Sequence, residues 1–284
     1  MTTVTLSAKQ LAIRFALGLA AGTLSGLFGV GGGVIIVPLL VLVCHLAQRR
    51  AQATSLTSIV LIAAVGAVPY VLRSGVSWPA VAIIAVGGLV GSMIGSSLVQ
   101  RINDDWLKVC FAVVALAAAI QLVLPRAAGG ADHLPGLSIA VVVGYLGAGL
   151  VMGVLSPLVG VGGGIVLVPI LVFFMGFPQP VAQGMSLLVL VPVSVVGSAR
   201  GAVAKNVDWQ SAIGIGVGGA IASPIAAHLA LSMPTTVLKG LFAALLAVVA
   251  FQIGFAGVRS LRTPGLGSPP RRTGSKCRHP RLRS

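Results

Sequence analysis

The chain has 284 residues, 57% of them hydrophobic and only 8% charged, with a mean hydropathy of +1.06. Soluble domains carry about 25% charged residues, which excludes a soluble globular protein, and the 38 glycines follow no three-residue collagen period. The net charge of +15 does not signal nucleic acid, because outside the C-terminal tail, where Arg262, Arg271, Arg272, Lys276, Arg278, Arg281 and Arg283 crowd together, the basic residues are scattered one or two per connection. What remains is a polytopic membrane protein with room for roughly eight to ten spans of ~20 residues.

In chain order, residues 1–8 are a short cytoplasmic start. The first half, residues 9–128, holds apolar segments at 11–29, 34–47, 52–72, 78–99 and 106–124. A linker at 129–135 leads into the second half, 136–262, with segments at 137–160, 165–177, 182–203, 209–230 and 237–258. The tail, 263–284, is rich in Pro, Gly and Arg and reads as a disordered basic end. The three cysteines, Cys44, Cys110 and Cys277, lie far apart without metal or redox spacing.

The halves are copies. Gly29-Val30-Gly31-Gly32-Gly33 returns at residues 160–164, an offset of 131 (160 less 29). The same offset pairs Pro38 with Pro169, Gln52 with Gln183 and Ser55 with Ser186. It also pairs Trp78 with Trp209, Lys108 with Lys239, and Gln121 with Gln252. Apolar composition alone does not place Trp, Lys, Pro and Gln in register. Five segments per half is an odd number, so the second half enters the bilayer from the other side and the repeat is inverted, as in many secondary transporters. The second segment of each half is short, either a tilted span or one arm of a re-entrant hairpin.

A cytoplasmic N-terminus satisfies the positive-inside rule. It places Arg49, Arg50, Arg101, Lys108, Arg200, Lys205 and the basic tail in the cytoplasm, and leaves Arg73, Arg126 and Lys239 outside. Both termini are then cytoplasmic. Lys9 and Arg14 ahead of an apolar run and Ala20-Ala21-Gly22 resemble a cleavable signal. The same element recurs at 137–160, where no cleavage can occur, so the first copy reads as a retained helix.

The glycine breaks are the first site candidates. Gly29, Gly31, Gly32 and Gly33 end one helix and begin another, as do Gly160, Gly162, Gly163 and Gly164. Glycine allows positive φ and close backbone approach, and a new helix presents unpaired N–H groups and a dipole that favour an anion. In an inverted pair the two helix starts converge on the pseudo-twofold axis. Pro38 and Pro169 follow as breaks or hinges. Gln52, Ser55, Gln183 and Ser186 are the accompanying polar candidates, because polar groups at membrane depth face the protein interior. Glycine for close packing is the competing reading, and it fits Gly87, Gly91 and Gly95 at four-residue spacing, as well as Gly214 and Gly218.

The chain contains no Glu, and its four Asp lie at segment ends or connections, so no buried proton relay is expected. No catalytic arrangement, metal cluster or nucleotide fingerprint is present, so neither an enzyme nor a cofactor is expected. These features point to an anion exporter or facilitator, with a channel-like facilitator of another small solute and a non-transporting scaffold as alternatives. The partners expected are a small anionic substrate and the lipid bilayer, with oligomeric state open.

The stretches GLFGVGGGVIIVPLLV and PLVGVGGGIVLVPILV, followed by AQATSL and AQGMSL, resemble the TauE/SafE family of membrane permeases over residues 9–258. That resemblance implies a bacterial inner-membrane permease with duplicated halves that moves sulfite, sulfoacetate or related organosulfur anions. It places the family motif on Gly29, Gly31, Gly32, Gly33 and Pro38, and again on Gly160, Gly162, Gly163, Gly164 and Pro169.

Overall fold

A computed structural model describes residues 8–98 and 138–248, apart from 161 and 246. The expected segment at 106–124, the linker and the basic tail lie outside the described residues. The described residues are helical, with no strand among them. This follows from the solvent: hydrocarbon offers no hydrogen bonds, so each crossing segment must satisfy its own backbone.

The first half contributes α1 (Ala8–Phe28), α2 (Gly33–Leu42), α3 (Gln48–Arg73) and α4 (Trp78–Leu98). The second contributes α5 (Ile139–Val159), α6 (Gly164–Phe173), α7 (Gln179–Val203), α8 (Trp209–Ser232) and the start of α9 (Thr235–Leu245). Local chemistry sets several boundaries. Ser138 caps α5 by accepting from the Val141 amide. Pro178 and Pro180 open α7. Met233 leaves the helical region ahead of Pro234 and so closes α8.

Six of these helices, α1, α3, α4, α5, α7 and α8, are long and apolar enough to cross a membrane. The 10 residues of α2 and of α6 span only about 15 Å, half of a ~30 Å hydrocarbon core. They are therefore the returning arms of hairpins begun by α1 and α5, which decides between the two readings of the short segments.

Pairs of contacts in the two halves show the inverted repeat directly. Gly201 on α7 packs on Ala53 of α3, while Gly184 packs on Tyr70, the pair reached by exchanging both partners at the 131 offset. Gly197 meets Leu56, and Gly66 meets Leu187, by the same exchange. Along this interface α3 residue numbers rise as α7 numbers fall, so the two helices are antiparallel. The twofold axis that swaps them lies across the helices, hence in the plane of the bilayer.

The halves interlock. A Cβ on Gly18 would strike the Ile215 carbonyl of α8, and one on Gly149 the Ile84 carbonyl of α4, which are equivalent positions. Each half's first helix thus packs on the other half's fourth helix through bare backbone. Gly87, Gly91 and Gly95 belong to that contact, facing the carbonyls of Leu146, Leu150 and Val154. In lipid, where apolar burial gives no driving force, such close approach is what holds helices together. The outward residues are apolar, among them Leu61, Val65, Val86, Ile213 and Ile221, as a lipid-facing surface requires.

Candidate functional site

The two glycine breaks meet at the centre of the bundle. Gly29, Gly31 and Gly32 have φ of 69°, 79° and 75°; Gly160, Gly162 and Gly163 have 72°, 84° and 74°. Side chains with a Cβ rarely adopt these angles, so the sequence spends glycines where the chain must reverse at membrane depth. Gly32 and Gly163 serve as the N-caps of α2 and α6 without any side-chain cap. Among the described residues, no backbone carbonyl accepts from the amides of Gly31, Gly32, Gly33 or Val34. Pro38 and Pro169 lie inside α2 and α6; each lacks an N–H and leaves the carbonyl of Val34 or Ile165 without its helical partner. Pro169 is buried and Pro38 is exposed.

Ile59 of α3 and Leu190 of α7 are equivalent at the 131 offset, and each loop's middle glycine faces both. A Cβ on Gly31 would lie 3.0 Å from Leu190 and 3.1 Å from Ile59; on Gly162 the distances are 3.0 and 3.3 Å. The loops also touch each other, since a Cβ on Gly164 would lie 2.9 Å from the carbonyl oxygen of Gly29. Both side chains are fully buried. The pseudo-twofold axis therefore runs between Ile59 and Leu190, a pair that composition could not single out from the surrounding aliphatic run.

The four polar candidates sit beside these loops. The Ser186 hydroxyl donates to the Gly29 carbonyl at 2.8 Å, and the Ser55 hydroxyl to the Gly160 carbonyl at 3.0 Å. Each serine thus ties its helix to the other half's loop. Gln183 backs Gly29, and Gln52 lies against Gly160. Gln183 is fully buried and its Nε2 has no hydrogen-bond partner among the described residues. Neighbouring hydroxyls have packing duties: Thr54 accepts from the Asp208 amide at 3.0 Å, and Ser58 donates to the Ala212 carbonyl at 3.1 Å, both toward α8.

A cavity of about 1140 Å³ opens beside the loops, between the N-terminal end of α3 and the C-terminal ends of α4 and α7. Its wall includes Gln52, Leu56, Pro157 and Gly197, and its mouth carries Arg49 and Arg200. Among the described residues, no acidic side chain lines it. Arg200 donates to the Met93 carbonyl at 2.9 Å and to the Ser96 hydroxyl, so its guanidinium is held without a counter-charge among the described residues. Of the candidates read from the sequence, Gln52 reaches this cavity, and it lies directly over Gly160. The glycines themselves form the packed floor beyond it. Arg200 reads in the sequence only as a topology signal. Its counterpart at the 131 offset is Pro69, and that mismatch is the one sign that it has a task of its own.

Asp208 is the one acidic residue among those described. It lies 3.7 Å from Arg14 and accepts from Ser211 at 2.6 Å at the end of the bundle. No group of His, Cys, Asp and Glu among the described residues is arranged to hold a metal ion.

The chain matches the family model described as "Sulfite exporter TauE/SafE" over residues 5–122 and 145–282. It is 26% identical over 278 residues to the "Probable membrane transporter protein YunE" of Bacillus subtilis, covering 87% of this chain and 98% of that protein. A "Probable membrane transporter protein" of Haemophilus influenzae is 30% identical over 161 residues, 54% of this chain and 60% of its own length. The "Sulfite exporter TauE/SafE family protein 2" of Arabidopsis thaliana is 31% identical over 116 residues, 40% of this chain and 25% of that protein. No solved structure matches. Paired glycine hairpins on an in-plane twofold axis and a family match over both halves make one conclusion: this chain is a membrane transporter belonging to the TauE/SafE family.

Proposed function

We propose that the protein exports a small oxyanion, sulfite or sulfoacetate or a related organosulfur anion, across the bacterial inner membrane. The observation that carries this reading is the cavity: among the described residues it has two cationic side chains at its mouth and no acid in its lining, with Gln52 at its inner end over a glycine break. An anion entering there meets Arg49 and Arg200 first. It then reaches the level of the packed loops, where free amides and helix starts can replace its hydration without a fixed positive charge that would trap it. The names of the family and of the Arabidopsis relative support sulfur oxyanions as cargo.

The cavity end of the bundle also carries Arg14, Arg50 and Lys205, whereas the opposite end has Arg73 and Lys239 among the described residues. By the positive-inside rule the cavity faces the cytoplasm, and the N-terminus lies there too. An anion leaving a negative interior gains ~2.3 kcal/mol per charge per 100 mV, so export needs no proton relay.

The test is flux of labelled sulfite, sulfoacetate and an uncharged solute of similar size through the purified protein in liposomes. Saturable anion flux that follows the membrane potential is expected. Equal rates for the uncharged solute, or uptake coupled to a proton gradient, would refute the reading.

A further inference from the structure

The inner cavity has a counterpart that is shut. The 131 offset carries its lining residues Gln52, Leu56, Gly197 and Ser97 onto Gln183, Leu187, Gly66 and His228 at the opposite end of the bundle. There the two halves differ at one decisive place. The cavity wall has Gly201, and its equivalent is Tyr70.

Tyr70 is fully buried. Its hydroxyl donates to the Gly26 carbonyl at 2.7 Å and lies 3.1 Å from Oε1 of Gln183. Its Cβ rests against Gly184, where a side chain of any size would collide with it. The phenol therefore occupies, at this end, the volume that Gly201 leaves open at the other, and it is latched to the first helix hairpin and to the glutamine that backs Gly29. The latch is incomplete. One phenolic hydrogen serves two acceptors, and Gln183 Nε2 has no partner among the described residues. Above it, Arg73 and His228 meet at 3.3 Å on the exposed surface, and both map onto cavity-lining positions, Ala204 and Ser97. Alternating access in an inverted repeat requires each half to adopt the other's arrangement.

We propose that Tyr70 is the plug of a second, outward vestibule equivalent to the inner cavity, and that the departing anion passes Arg73 and His228 once the phenol leaves Gly26 and Gln183. This rests on the transport reading for its cargo, but the plug is tested without any cargo.

In a chain with Cys44, Cys110 and Cys277 replaced by Ser, Leu187→Cys reports on the shut vestibule and Gln52→Cys, at a partly exposed cavity-lining position, on the open cavity. A membrane-impermeant methanethiosulfonate carrying an ammonium group is applied to each face of sealed vesicles. Gln52→Cys labels quickly from one face. Leu187→Cys labels slowly from the opposite face with Tyr70 present, and about tenfold faster with Tyr70→Phe, the ordinary worth of one buried hydroxyl bond. Tyr70→Phe keeps the ring volume, and unchanged Gln52→Cys labelling shows that the fold is intact. Unchanged Leu187→Cys labelling in Tyr70→Phe, or labelling from the same face as Gln52→Cys, overturns the plug. Loss of anion flux with the labelling pattern retained would instead count against the cargo.

Discussion

Arg200 offers the sharpest quantitative test of anion entry. Neutralising it as Arg200→Gln removes one of the two cations that the described residues place at the cavity mouth and keeps a polar side chain there. A sphere of 1140 Å³ has a radius of roughly 6.5 Å, the natural distance from a centred monoanion to the wall. At an effective dielectric constant between about 20 and 80, one charge at that distance contributes roughly 0.6–2.6 kcal/mol. A water-filled mouth lies toward the lower half of that range, so KM for sulfite should rise about 3- to 10-fold at little change in maximal rate. The effect should shrink with added salt, since the charge is not sealed from solvent. Arg200→Lys should recover part of the loss, because the charge remains while the guanidinium nitrogen, Nη1, that holds both Met93 and Ser96 does not. Initial rates of labelled sulfite flux against concentration decide the matter. An unchanged KM in a well-folded Arg200→Gln protein would refute the claim that cavity charge gathers the substrate.

Ser55→Ala and Ser186→Ala should each lower stability in detergent by about 1–3 kcal/mol, since each leaves a buried glycine carbonyl unsatisfied; matched thermal unfolding shifts are expected, because the two bonds are equivalent. Gly31→Ala and Gly162→Ala should both cut flux and unfolding temperature, through positive φ and through crowding of Ile59 and Leu190. Gly147→Ala is the contrasting case: a Cβ there meets nothing within 4 Å inside α5, and stability should hold or rise by up to about 1 kcal/mol. Gly201→Tyr together with Ala53→Gly rebuilds the Tyr70–Gly184 contact at the other end, and Gln52→Cys should then lose its rapid thiol labelling.

The repeat was legible because Trp, Gln, Pro and Lys are scarce enough in an apolar chain for their register to stand out. Inversion followed from the odd segment count. The hairpin arms were not separable from tilted spans until α2 and α6 proved to be 10 residues long. The polar first turn of α3, Gln48 to Arg50, escaped the apolar window that began at residue 52. Ser55 and Ser186 could be read as inward-facing, but not as donors to the opposite half's loop, because that depends on which helix crosses which hairpin. Ile59, Leu190 and Tyr70 gave no signal at all. An aliphatic residue in an aliphatic run is silent, and a tyrosine near a helix end reads as an interfacial anchor until its burial is known.

The places where the halves disagree carry the directional information. A perfectly symmetric inverted repeat would have inward- and outward-open states of equal energy and could favour neither. Here the cavity end has Gly201, Arg200 and Ala53, and the shut end has Tyr70, Pro69 and Gly184. Gly184 makes room for the Tyr70 stem, whereas Ala53 already fills the space beside Gly201. The substitutions are thus paired: a bulky plug appears only on the side where its contact partner has been trimmed. Arg200 has no cationic equivalent at position 69, so an anion is drawn to the cavity end more strongly at that depth than to the other. The same backbone exchanges its two faces, while a handful of unmatched side chains sets the one on which it rests.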